Sequence, residues 1–221
     1  MTLESSRNLG GIGAILLLVG SLPFIGTVSF GILAIVGVIL LLISLHGFAD
    51  YFKERGIFNN FLFGVIAGVV GVIITAATFV YLFFYTSMVT EFLYKIYPTW
   101  NGDWTTLSGL TPVTTNIVPS DVVPFIGSFL LVLAVFWIFI IIAAFFVRRS
   151  LKNLSMKTSV GLMSTGALLL LIGAVLTIVV IGIFLMWIAI LLIAIAFFQI
   201  KPQIEQDVST MSSSPTTPTP V

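Results

Sequence analysis

The chain holds a single histidine, His46, and four residues further on stands Asp50. On a helix that spacing makes the two side chains neighbours. An imidazole beside a carboxylate can bind a cation, respond to pH near neutrality or contact a lipid headgroup, but the simpler reading, and the one preferred, is an interfacial histidine held by its neighbour. A second cluster is basic, with Arg148, Arg149, Lys152 and Lys157 close together. Such a run attracts anionic lipid, at about 1 kcal/mol per charge, or simply orients the chain. Enzyme chemistry finds less support. Ser164 lies in GLMSTG, whose glycines are wrongly spaced for a nucleophile elbow and which has no membrane-embedded histidine to act as base. The chain has no HExxH, no Walker loop and no paired intramembrane aspartates, so the usual zinc, nucleotide and aspartyl signatures are missing. Cysteine is absent, which excludes thiolates and disulfides. The expectation is a non-enzyme with no catalytic residues, no metal and no cofactor.

These residues sit among elements built for hydrocarbon. Of 221 residues 59% are apolar and 8% charged, with a mean hydropathy of +1.22; an ordinary water-soluble surface cannot be made from that composition. An all-α polytopic membrane bundle is expected, with six transmembrane helices at about 9–25, 28–47, 61–85, 124–147, 159–177 and 181–200. Residues 1–202 then form one membrane domain. Pro23 to Thr27 would turn the first hairpin, residues 86–123 would form an extracytoplasmic loop, and the Ser/Thr/Pro-rich tail 203–221 is expected to be disordered. In the loop, Met88, Val89, Phe92, Leu93 and Ile96 recur at helical spacing, and Tyr94, Tyr97, Trp100 and Trp104 suit the headgroup zone.

Residues 44–64, SLHGFADYFKERGIFNNFLFG, form a polar elbow between spans two and three. Phe48, Tyr51 and Phe52 would face the bilayer surface, Gly56 would stop the turn, and Asn59 would cap the third span with Phe58 and Phe63 as a staple. Close helix packing is expected at Gly64, Gly68 and Gly71. It is also expected at Gly13 and Gly20, and at Gly166 and Gly173, where GAILLLVG and GALLLLIG agree at six of eight positions and suggest an internal repeat. Ser120 or Asp121 would cap the fourth span. Ionisable residues are missing from the interiors of span one and spans three to six, which disfavours ion-coupled transport.

The opening NLGGIGAILLL at Asn8 to Leu18 and the stretch GFADYFKERGIFNNFLFG at Gly47 to Gly64 resemble domain-of-unknown-function family 996, a prokaryotic and largely archaeal group. The later spans share with it only their hydrophobicity. That resemblance implies a multispanning membrane location and supplies no catalytic residues, since the family has no established activity. The function expected is therefore a packing or interaction component of the cell membrane, in contact with the bilayer, with itself or with a protein partner, and not with nucleic acid. The alternative is a passive channel or carrier for a small neutral solute, lined by hydroxyls such as Thr75, Thr78 or Thr177. Basic residues divide eight to one, with Arg7, Lys53, Arg55, Arg148, Arg149, Lys152, Lys157 and Lys201 against Lys95; this places both termini in the cytoplasm.

Overall fold

The computed structural model describes residues 2–21, 28–85, 87–113 and 117–201, apart from the side chains of 28–30, 84 and 85. The expected turn at 23–27 and the tail 203–221 lie outside the described residues. Seven α-helices follow one another: α1 Leu3–Gly20, α2 Val28–Tyr51, α3 Arg55–Val80, α4 Met88–Ile96, α5 Pro119–Thr158, α6 Gly161–Leu176 and α7 Ile181–Phe198. Among the described residues there is no strand. The described residues up to Ile66 and from Ile141 onward make one compact unit, and Ala67–Ile140 make another.

Large apolar side chains face outward along these helices, Ile35 at 62% and Ile73 at 61% exposure among them. In water that surface would be a liability; against lipid it is the ordinary outer face, and helices satisfy their backbone polar groups internally as the bilayer requires. The chain is a polytopic helical membrane protein. Five of its helices are long and apolar enough to cross a membrane. The first expected span falls on α1, which is not among those five; its opening turns carry Glu4, Arg7 and Asn8, and its apolar part packs along α2 and α7.

Both terminal hairpins close through glycine. A Cβ on Gly37 would lie 2.6 Å from Leu17 N and 2.7 Å from Gly13 O, and one on Gly13 would meet Gly37 O at 2.9 Å and Leu40 at 3.0 Å. In the other hairpin Gly166 faces Ile193 at 3.0 Å, while Gly173 and Gly182 meet backbone to backbone. Gly13 meets Leu40 and Gly166 meets Ile193, partners displaced by the same 153 positions, but the backbone atoms they approach, Gly37 O and Leu41 N against Ala189 O and Ile193 N, differ by one residue in register. Gly20 ends α1 half-buried. The α3 glycines do not form one groove. Gly64 approaches Val147 and Ala143 O, and Gly71 approaches Phe139, but a Cβ on Gly68 would meet nothing within 4 Å. By helical spacing Gly68 shares their face, but no neighbour reaches it.

The elbow is tighter than expected. α2 runs on to Tyr51, and Lys53 takes the left-handed conformation at φ 52°. Glu54 N then donates to Ala49 O at 2.9 Å and Lys53 N to Asp50 O at 3.3 Å, the bond pattern of a Schellman cap with lysine in the usual glycine place. Gly56 is already inside α3, so it stops nothing, and Asn59 caps nothing. The expected staple is replaced by two separate contacts: Phe58 stands edge-on to His46 and Phe63 packs on Phe146. Phe48 is fully buried against Phe197, ring centroids 6.1 Å apart, so it serves the protein core and not the bilayer surface.

The fourth span is also longer than expected. α5 has 40 residues, about 60 Å of helix against a hydrocarbon core of about 30 Å. Its basic end is helical because Leu151, Leu154, Ser155 and Thr158, at i, i+3, i+4 and i+7, are buried while Arg149, Lys152 and Lys157 are exposed. The core gathers at this end of the first unit, where Leu45, Phe48, Ile57, Leu151, Leu154 and Met163 pack with Phe197 and Ile200.

Candidate functional site

His46 and Asp50 stand where their spacing placed them, Nε2 to Oδ2 at 3.5 Å, with side chains 60% and 72% exposed. The geometry allows a helical ion pair when the imidazole is protonated, worth a few tenths of a kcal/mol at so exposed a position. Among the described residues no group of three or more His, Asp or Glu side chains converges as a metal site.

At the basic end Lys157 reaches Glu54 at 4.0 Å, both side chains partly exposed, so the elbow and the α5 to α6 turn lie side by side. Ser159, at φ 57°, makes that turn. Arg148 is half-buried, and Arg149 and Lys152 are exposed. Arg7 donates to Ile200 O at 3.3 Å, which brings the start of α1 to the end of α7. The fold therefore collects Arg7, Lys53, Arg55, Lys152 and Lys157 around connectors of one unit. Sequence reading missed the buried hydroxyls beneath them. Ser44 donates to Ser6 O at 2.7 Å, Ser150 donates to Ile57 O, and Ser155 donates to Val160 O at 2.9 Å. Their signal was present: each serine interrupts an apolar face, and a hydroxyl there needs a partner.

Of the threonines expected along a solute path, two are engaged by their own helices. Thr78 donates to Ile74 O at 2.8 Å and Thr177 to Gly173 O at 2.9 Å, each within the preceding turn; Thr75 Oγ1 is buried without a hydrogen bond. The first unit also holds an apolar cavity of about 340 Å³ to which α1, α2, α3, α5, α6 and α7 all contribute. Every lining residue is apolar except Ser21, and nothing in its sequence signature announced it.

The second unit holds the chemistry of the 86–123 connection. Trp100 is buried between Tyr94 and Trp104, ring centroids 5.1 and 5.4 Å away, and its indole donates to Asp103 O at 2.7 Å. Asp103 caps the short helical turn Trp104–Gly109. The Thr105 backbone N–H, at 2.9 Å, and then its hydroxyl, at 2.8 Å, hold the Asp103 carboxyl below the usual carboxylate range. Gly102, at φ 90°, supplies the backbone reversal ahead of it. Asp121 pairs with Lys95 and accepts from Val118 N at 3.2 Å. With Pro119 in the first helical position, this is the reciprocal half of a capping box. A smaller hollow of about 130 Å³ lies beside the pair, lined by Met88, Phe92 and Phe125 among others.

Residues 33–191 match the family described as "Protein of unknown function (DUF996)". The match starts beyond the Asn8 to Leu18 stretch and runs through the elbow and the later spans into α7. A similar protein is "Uncharacterized protein MJ1644" of Methanocaldococcus jannaschii, 27% identical over 161 residues, which cover 72% of this chain and 71% of that one. No solved structure matches the chain.

Proposed function

The chain belongs to the DUF996 family, proteins of unknown function, and from that premise we propose that it is a non-enzymatic packing or interaction component of the cell membrane. One observation carries this reading: the hydroxyls of Thr78, Thr177, Ser44 and Ser150 are spent on backbone carbonyls, and the cavity that six helices enclose is lined by apolar side chains except Ser21. A passive route for a neutral polar solute needs a line of free polar groups, and an enzyme needs convergent reactive ones. The ionisable residues instead gather at connectors, where they orient the chain and meet lipid headgroups. Arg7, Lys53, Arg55, Arg148, Arg149, Lys152 and Lys157 belong to one end of this arrangement, which supports cytoplasmic termini.

Proteoliposomes exposed to glycerol or urea gradients in stopped-flow light scattering test the reading. Swelling no faster than in protein-free vesicles is expected, and a protein-dependent rise would replace it with a passive carrier. Reporter fusions at Lys53, Gly109, Lys152 and Gln206 test the orientation, with an external signal expected at Gly109 alone.

A further inference from the structure

The apolar cavity of the first unit does not suit water and is too large to stand empty. At about 340 Å³ it is more than twice the roughly 150 Å³ apolar void that stays dry and takes up benzene or xenon. A buried water needs two to four polar partners, and the hydroxyl of Ser21, the polar side chain of the lining, already donates to Leu18 O at 3.0 Å. Left vacant, the space would deprive its lining side chains of the dispersion contacts that close packing provides.

Its shape says where an occupant enters. Leu41, Phe61, Leu151 and Ile193 are buried and form the floor, whereas Leu17, Val65 and Met186 are only half-buried and form the rim. The rim is held in place beside the Trp187 indole, which donates to Leu18 O at 3.1 Å and fastens α7 to α1. Rim residues belong to the apolar lengths of α1, α3 and α7, so the medium at the entrance is bilayer hydrocarbon. We propose that this cavity is a binding site for one hydrocarbon chain of a membrane lipid, which enters past Val65 and Met186 and ends against Phe61 and Leu151. The site is independent of the function proposed above, since a lipid chain can seat here whether the protein packs with partners or passes a solute elsewhere.

The test uses the full chain in vesicles of equal parts phosphatidylglycerol and phosphatidylcholine, doped with phosphatidylglycerol bearing a diazirine midway along one acyl chain. After irradiation, peptide mass spectrometry locates the adducts. Adducts on the floor at Leu41, Phe61 or Ile193 are expected in addition to those on outward residues such as Ile73 and Ile138. Val65→Phe fills the rim and Val38→Phe narrows the cavity from α2. Each should reduce floor labelling several-fold and leave Ile73 and Ile138 unchanged. The labelling pattern of the unsubstituted chain stands without either variant, so misfolding of one does not decide the outcome. Labelling confined to outward residues, whether because a second copy covers the rim or because the cavity stays closed, overturns the proposal. Floor labelling that neither variant reduces overturns it too.

Discussion

Replacing Gly37 with Ala adds one methyl group at the closest point of the first hairpin. That Cβ would stand 2.6 Å from Leu17 N and 2.7 Å from Gly13 O, and both obstacles are backbone, so no side chain can rotate away. The helices must part by most of an ångström along a seam that also holds Leu40 and Leu41. Overpacking of this kind costs about 1–3 kcal/mol, against which the better helix propensity of alanine returns up to about 1 kcal/mol. Because the obstacle is rigid the cost falls in the upper half of that range, and a net loss of about 1–2 kcal/mol is expected. For a chain of this size each kcal/mol moves the melting temperature by roughly 2–4 °C, so a fall of several degrees is measurable by size-exclusion thermostability in detergent. Gly68→Ala is the matched control. It makes the same chemical change on an apolar helix where nothing lies within 4 Å, and it should leave the melting temperature level or slightly raised, by no more than the propensity gain of about 1 kcal/mol. If Gly37→Ala melts with the native chain, or if Gly68→Ala falls as far, close backbone approach is not what holds the hairpin.

Val180 carries a β-branched side chain at φ 65° and is well exposed, so Val180→Asn should raise stability by about 1 kcal/mol in the same assay. Ser150→Ala removes the tie from α5 to Ile57 O and should cost about 1 kcal/mol, with the valine variant no better. The Asp103 carboxyl is held below its ordinary range by Thr105, so its contribution is complete above the unfolded group's pKa and is lost as pH falls through the folded one. Acid titration of tryptophan fluorescence should therefore show a step below the usual carboxylate range, which Asp103→Asn abolishes.

The membrane class and the helical spans were legible because hydrocarbon demands long apolar runs, and α6 and α7 begin and end close to where such runs do. Helix ends outside the lipid were less legible. Lys152 and Lys157 read as connector charges, although Leu151, Leu154, Ser155 and Thr158 repeat at helical spacing and mark a buried face. At the elbow, glycine was expected to make the turn and lysine makes it instead, since the two closing hydrogen bonds outweigh a modest backbone penalty at Lys53. The His46 and Asp50 pair followed from spacing alone. The cavity did not, because its lining comes from six helices far apart in the sequence and depends on how their side chains fail to meet.

The seam between α1 and α7 joins the first and last helices of the described chain. Phe197 lies over Gly10, Phe198 over Gly11, and Trp187 reaches Leu18 O. During synthesis the first hairpin is finished long before its partner exists. At about 5–20 residues per second the ribosome needs roughly 7–30 s to travel from the end of α2 to the end of α7. Through that interval the face of α1 that will receive Phe197 is bathed in lipid. Assembly of this protein is therefore an act of displacement, in which the last helix to emerge evicts lipid from the first, and whatever lipid chain is not evicted is enclosed.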